Sequence, residues 1–195
     1  MIPSPELMPR RPRGLTLMEL VVLTSLVAVG TSVFMEFLMR HADLLDYSTH
    51  QADLRTHAQM AVEEMLKELR HATRVGAGSP PNASIPAPPG NTQIAFSLPA
   101  DLDGNGMIVD ALGAVEWDVA NPIRYQYVAA SRQLTRVAGA TSRVLAQDVA
   151  SVTFQDQTMD GSLGANEVRA QVTLQRTSRG RTITAASSGI VQLRN

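Results

Sequence analysis

The feature that most constrains this chain is an apolar run from Leu15 to Met35, which reads LTLMELVVLTSLVAVGTSVFM and contains one charged residue. About 20 helical residues, each rising 1.5 Å, cross the hydrocarbon core of a bilayer. The residues before the run carry three arginines against a single acid, and such a basic flank favours the cytoplasmic side. We therefore predict one membrane-spanning helix, with the N-terminus in the cytoplasm and the rest of the chain outside.

Two simpler interpretations of this segment fit less well. A secretory signal peptide has an apolar stretch of 7–15 residues, shorter than this run, although a weak cleavage site lies near Ala28 to Ser32. A plain single-pass anchor does not explain Glu19, because a carboxylate at mid-membrane costs about 2.5–3.5 kcal/mol on insertion scales and less near the end of a span. Such a residue predicts a function and a partner.

The residues around Glu19 read RGLTLMEL from Arg13 to Leu20. This string resembles the type III signal of type IV prepilins and of the related type II secretion pseudopilins. The resemblance implies that a prepilin peptidase cuts between Gly14 and Leu15 and that the new amine of Leu15 is N-methylated. It also implies an assembly role for Glu19. A neighbouring subunit's Leu15 amine would lower the cost of both charges in lipid and fix the axial register.

Two departures from the family pattern favour a minor component over a bulk filament subunit. The first mature residue is Leu15 where phenylalanine is commoner, and Glu36 stands where many major pilins have a helix-kinking proline. After the spine helix come Ile94-Ala95-Phe96-Ser97, an Asp-Gly-rich loop, and Val144-Leu145-Ala146 before a strand with Phe154. This order of features is similar to the minor pilins of the PilW type and their GspJ-like counterparts in type II secretion. The resemblance implies a minor pilin near the filament tip, with a minor pseudopilin as the alternative; the sequence barely separates the two.

The partners and location implied by the resemblance follow from the family's assembly. They are other minor pilins and the major pilin through the N-terminal helix, the prepilin peptidase and methyltransferase, the inner-membrane assembly platform and, as a further candidate, a tip adhesin. Before assembly the chain would be a single-pass inner-membrane protein with its head in the periplasm. It would then join a pilus or pseudopilus. The near balance of 17 basic and 18 acidic residues argues against nucleic acid as a partner.

The pattern along the chain predicts an α+β fold in which a long N-terminal helix packs on an antiparallel β-sheet head. We assign 1–14 to a cleaved leader, 15–36 to the membrane and filament-core helix, 37–75 to an amphipathic spine helix, 76–92 to a proline-rich loop and 93–195 to the head. The spine carries an apolar stripe at spacings of three and four residues, namely Leu54, Ala58, Ala61, Met65, Leu69 and Ala72.

Alternating residues and turn signals predict seven short strands in the head. They are Gln93–Leu98, Val115–Val119, Ile123–Ala129, Gln133–Val137, Ser151–Gln155, Val168–Gln175 and Thr182–Ala186. The residues Arg179-Gly180-Arg181 are predicted to form a hairpin tip, and 190–195 a short closing strand.

One stretch of the head has the composition of a calcium loop. Asp101, Asp103 and Asn105 place oxygens at alternate positions before Gly106; Met107 would offer its carbonyl oxygen and Asp110 a further carboxylate. The bidentate glutamate expected at the twelfth position is replaced by Leu112, for which Glu116 or a distant residue would have to substitute. The competing interpretation is a solvated turn, because Asp, Asn and Gly favour turns without a metal.

The remaining chemistry is sparse. The chain has no cysteine, so disulfides and thiolate sites are excluded. His41, His50, His57 and His71 all fall on the predicted helix without an HExxH pattern, and no serine lies in a GxSxG turn. We therefore expect no enzyme, and no cofactor other than calcium. A membrane-anchored periplasmic calcium- or ligand-binding module is the competitor from another class.

Overall fold

The computed structural model describes residues 16–72 and 83–193. The chain divides into two compact units, Met1–Asp46 and Tyr47–Asn195. Helix α1, Leu17–Leu69, runs through the boundary between them. Part of the predicted proline-rich loop, residues 76–82, lies outside the described residues.

The described part of the N-terminal unit is helical and apolar. Its large side chains from Leu17 to Met39 are all exposed. An 18-residue window of α1 reaches a mean hydropathy of 2.0 with none of it buried, so the helix is long and apolar enough to cross a membrane. Length and composition alone support that statement, since a signal sequence shares the same properties.

The C-terminal unit joins the second half of α1 to two antiparallel sheets. The first sheet has the order β1-β2-β3-β4 and the second has the order β5-β6-β7. Their strands are β1 Gln93–Phe96, β2 Ile123–Val128, β3 Gln133–Ala138, β4 Thr141–Ala146, β5 Val149–Gln155, β6 Glu167–Ser178 and β7 Arg181–Gln192. The expected α+β class is therefore observed, with two sheets where one was predicted.

The predicted apolar stripe of α1 is confirmed as the centre of the core. All six of its residues are buried, and Val62 joins them. Both sheets contribute to the same core, through Tyr125 of β2 and Leu134 of β3 on one side and Phe154 and Val172 on the other. A stripe at helical spacing puts its side chains on one face, which can be buried only against another element.

Several strand predictions need correction. Val115–Val119 is not a strand, since only isolated bridges join Val109 to Val115 and Pro99 to Trp117. Strand β4 was missed because its residues are mostly exposed and do not alternate. The separate closing strand is wrong, since β7 continues unbroken to Gln192 and pairs along its whole length with β6.

The predicted hairpin tip between β6 and β7 is confirmed. Strand β6 ends at Ser178 and β7 begins at Arg181, so two residues form the turn. Arg179 and Gly180 both have positive φ, 49° and 75°, which is the requirement of the tight turn that suits twisted strands.

A polar joint connects α1 to the first sheet. The Tyr125 hydroxyl donates a hydrogen bond to Glu68 Oε2 at 2.6 Å, and Arg136 Nε donates to the same oxygen at 2.9 Å. Burial, and then the Glu68 carboxylate, raise the pKa of Tyr125, so its hydroxyl stays a donor. Arg143 of β4 pairs with Glu64 one turn earlier. Glu64 and Glu68 therefore border the buried stripe and do not lie on a fully solvated face of the helix.

The closest approach between α1 and the second sheet is at Gly189 of β7. A Cβ atom on this residue would lie 2.4 Å from Leu66 Cδ1 and 3.2 Å from Val62 Cγ1. Glycine in a strand often marks such a close approach, because only a missing side chain leaves room for the neighbour. Gly189 therefore sets how near β7 comes to the helix.

We expect Gly189→Val to destabilise the chain by about 1–3 kcal/mol, the usual cost of forcing extra methyl groups into a packed core. The measurement is urea unfolding of the full chain in detergent. Gly161→Ala is the matched control, since a Cβ there meets nothing within 4 Å. Adding Leu66→Ala to Gly189→Val should recover part of the loss. Additive effects of the two changes would contradict the proposed contact.

Candidate functional site

The predicted processing site falls on Gly14 and Leu15, which lie outside the described residues. The first described residue is Thr16, and α1 begins at Leu17. Glu19 lies in the first turn of the helix. The assembly residue, but not the scissile bond, can thus be placed in the structure.

Glu19 is held by Thr16 in a capping box. The Thr16 amide and hydroxyl donate to Glu19 Oε2 at 2.9 and 3.0 Å, and the Glu19 amide donates to Thr16 Oγ1 at 3.3 Å. This reciprocal arrangement satisfies N–H groups that a helix start leaves without partners. Sequence reasoning missed it, although the Thr-x-x-Glu spacing before an apolar run is its known signature.

The capping box bears on what Glu19 can do. Its hydrogen bonds use Oε2, and Oε1 accepts none from the part of the chain that the structure describes. The carboxylate can therefore cap its own helix and still accept a donor from outside. The capping role alone would also explain a glutamate at this position, so the two roles have to be separated by experiment.

The hydroxyl groups of the apolar segment bond back to their own helix. Thr24 and Ser25 donate to the Val21 carbonyl at 3.0 and 2.7 Å, while Thr31 and Ser32 donate to carbonyls four residues earlier at 2.7 and 2.9 Å. In an apolar medium an unsatisfied hydroxyl is costly. These bonds leave a hydrocarbon surface that suits either lipid or the apolar faces of other helices.

The second candidate site is the predicted calcium loop, which lies between β1 and β2. Asp101 Oδ1 accepts the Gly104 and Asn105 amides at 2.8 and 3.1 Å, and its Oδ2 accepts the Gly106 amide at 2.8 Å. The Gly106 N–H lowers the pKa of Asp101 most, desolvation opposes it with the next-largest effect, and hydrogen bonds with Gly104, Asp103 and Asn105 lower the pKa further. Asp101 is therefore ionised at neutral pH, as a cation ligand must be.

Three carboxylates converge in this loop. Asp101, Asp103 and Glu116 each place one oxygen within 4.8 Å of the other two, which is close enough to share an ion. Glu116 also accepts the Leu102 amide at 2.6 Å. Its position makes it the candidate for the missing twelfth-position ligand, because hard cations need several oxygens.

The other predicted ligands serve the loop itself. Asn105 Oδ1 accepts the Met107 amide at 2.6 Å, and its amide group donates to Asp103 at 2.8 Å. Asp110 Oδ1 accepts the Leu112 and Ala114 amides at 2.8 and 2.9 Å, within the next turn. Asp110 is not one of the three converging carboxylates. Its bonds are those of an Asx turn, the competing interpretation of this segment.

The histidines of the described helix make local contacts. His57 Nδ1 lies 3.2 Å from Asp53 Oδ1, one turn away, and the His41 ring meets Phe37 edge to face at 4.3 Å. Asp53 also accepts Arg176 of β6 at 3.2 Å. These contacts fit the prediction of ordinary helix surface.

Comparison of the chain with models of protein families, with curated proteins and with solved structures finds no match. The fold and the exposed apolar helix define an α+β protein whose described residues include one helix able to span a membrane.

We expect calcium to bind at Asp101, Asp103 and Glu116. At a concentration 100 times its dissociation constant, calcium should add about 2.7 kcal/mol to the free energy of unfolding of the full chain in detergent. Asp103→Asn, which keeps an acceptor oxygen but removes the charge, should abolish the effect. Asp118→Asn is the control, because Asp118 caps the separate turn at Asn121. If calorimetry detects no heat on adding calcium and the melting temperature does not shift, calcium does not bind. The loop is then a turn whose carboxylates are satisfied by its own N–H groups.

Proposed function

We propose that this chain is a minor pilin of a type IV pilus, a non-catalytic subunit that helps to initiate assembly and sits at or near the filament tip. The observation that carries the proposal is a helix that is exposed and predominantly apolar around one acid, Glu19, from Leu17 to Met35, while its second half contributes to the core of a β-rich unit. The RGLTLMEL signal at its start points the same way. A minor pseudopilin of a type II secretion system is the alternative.

The apolar surface supplies the driving contact of the proposed mechanism. Large side chains such as Leu26, Val29 and Phe34 are 58–72% exposed, and nothing in the described residues covers them. In the membrane they face lipid, and in a filament they would face the helices of neighbouring subunits. Helix packing of this kind is driven by van der Waals contact and by polar groups that find partners.

Glu19 supplies register in the proposed mechanism. Cleavage after Gly14 creates an α-amine at Leu15, and the free Oε1 of Glu19 would accept that amine from an adjacent subunit. An isolated ammonium and an isolated carboxylate are each costly in an apolar medium, and pairing lowers both costs. A neighbour shifted by one helical turn would leave both charges unpaired.

A membrane-anchored module that binds calcium is the second alternative, favoured by the converging carboxylates of the loop. It needs neither cleavage at Gly14 nor helical neighbours.

The two pilin-like alternatives differ in phenotype: deletion should abolish twitching motility for a pilus subunit and exoprotein release for a secretion subunit.

We expect Gly14→Phe to keep the leader attached, because a bulky side chain at the scissile position blocks a tight protease cleft. Mass spectrometry of the N-terminal peptide from the membrane fraction measures this, and the wild-type chain should begin with a methylated Leu15. Gly30→Ala, a glycine change inside the helix with open space around it, is the control and should be processed normally. A wild-type chain that still begins with Met1 would refute the proposed processing.

We expect Glu19→Ala to be inserted and cut but incorporated into filaments about tenfold less, equivalent to about 1.4 kcal/mol. Glu19→Gln separates the two roles of the residue, since glutamine keeps the capping box but has no charge. It should assemble as poorly as Glu19→Ala. Glu36→Ala is the control, because Glu36 pairs with Arg40 on an exposed face. If Glu19→Gln assembles normally, the proposed charge pairing is wrong and Glu19 acts only as a helix cap.

A further inference from the structure

The connection between β1 and β2 is far longer than the sheet requires. The two strands are antiparallel neighbours that end at the pair Phe96 and Ile123, and such strands can be joined by two to five residues. Here residues 97–122, 26 in all, intervene. Loops of this length inside a compact unit are usually functional.

The long connection between β1 and β2 is held by backbone hydrogen bonds where it leaves the sheet. The Asp118 amide donates to the Leu98 carbonyl at 3.0 Å, and the Ala100 amide donates to the Glu116 carbonyl at 3.1 Å. Further out, the Glu116 amide donates to the Ile108 carbonyl at 2.9 Å. The carboxylates of Asp101 and Asp110 accept backbone N–H groups in the two turns. We call residues 98–118 the arm. Its backbone is fixed by its own hydrogen bonds, which reduces the ordering cost of binding.

The arm contributes none of the buried hydrophobic residues of the core. Four of its large apolar side chains face solvent: Leu102 and Met107 are each 59% exposed, Ile108 is 42% exposed and Leu112 is 93% exposed. Leu98, Val109, Val115 and Trp117 are half-buried. Single exposed leucines are ordinary, but several large apolar side chains on one excursion are typical of a contact surface.

The arm is also strongly anionic. It contains five acids, Asp101, Asp103, Asp110, Glu116 and Asp118, and no lysine, arginine or histidine. Their hydrogen bonds come from backbone and amide N–H groups, and within 16–72 and 83–193 none of them forms an ion pair. Without calcium, these five acids beside exposed hydrocarbon would repel the anionic surfaces of membranes and nucleic acids. Asp110 and Asp118 lie outside the three converging carboxylates, so their charges would remain when calcium is bound.

We propose that the arm is a docking surface for a different protein, one that presents lysine or arginine side chains around an apolar patch. Opposite charges would steer the encounter, and the apolar side chains of the arm would be buried in the contact. A second copy of this chain fits less well, because five of its arginines are already paired with its own acids. The inference goes beyond the proposed function, since a filament subunit and an anchored module could both use such a surface.

The test places a photo-reactive amino acid at Leu112 of the full chain in cells of its natural host. We expect one dominant adduct with another protein, and the linked peptide should lie beside lysine or arginine residues. The same probe at Val144 of β4, which is 43% exposed, is the matched control. An adduct with lipid or with a second copy, or no adduct beyond that of the control, would overturn the proposal.

A second set of variants tests the chemistry of the contact, with the probe moved to Met107. Leu112→Ser should lower the adduct yield about tenfold, the factor expected from exposing one buried leucine, whereas Val144→Ser should not change it. Asp110→Asn with Asp118→Asn removes two charges outside the three converging carboxylates and keeps the acceptor oxygens. It should lower the yield and weaken its dependence on salt in isolated membranes. Unchanged yields in both arm variants would refute docking through this surface.

The N-terminal residue of the mature chain is read in the same samples. A retained leader together with a specific adduct would refute the pilin proposal and leave the docking surface standing. Correct processing without an adduct would refute the docking surface and leave the pilin proposal standing.

Discussion

The apolar surface of helix α1 is the constraint on which the rest of the structure depends. From Leu54 to Leu69 one stripe of this surface is buried, and the two sheets share it as a common core. Without the helix neither sheet has a complete hydrophobic partner, since a three-stranded sheet must bury one face against another element. From Leu17 to Met35 the same helix is predominantly apolar and has no cover in the described chain. Helix α1 therefore organises the fold, and its exposed apolar part also requires an apolar environment such as lipid or other helices.

Polar groups determine how that helix can be used. Within the apolar segment the hydroxyl groups donate to carbonyls of the same helix, and Glu19 keeps one carboxylate oxygen that accepts no hydrogen bond from the described residues. In the C-terminal unit, Glu64 and Glu68 lie at the edge of the buried stripe. They form ion pairs with Arg143 of β4 and Arg136 of β3, respectively. Buried or half-buried acids with a defined partner specify geometry more than they add stability. The same principle thus operates at both ends of α1, with an internal partner at one end and an external one proposed at the other.

The sequence predicted the features that depend on periodicity and on local turn chemistry. The stripe of α1, the two-residue turn at Arg179-Gly180 and the alternation of β6 all follow from short-range patterns. The division into two sheets did not follow, because strand pairing is decided by contacts that are distant in the chain. Strand β4 has too few buried residues to show a pattern, and the convergence of Glu116 on Asp101 needs the ladder between the two sides of the arm. The capping box at Thr16 was readable from its spacing but was overlooked beside the membrane argument.

Strand β7 and the arm tolerate change very differently. At Gly189 the helix lies so close that even one added carbon atom must displace Leu66, which ties that position to the folding of the whole unit. In the arm only Leu98, at its base, packs against the core, so insertions and substitutions beyond it should alter the folding free energy little. Related chains could therefore keep the same helix and sheets while their arms diverge, and a family built on this scaffold would vary in length and composition between β1 and β2 before it varied anywhere in β7.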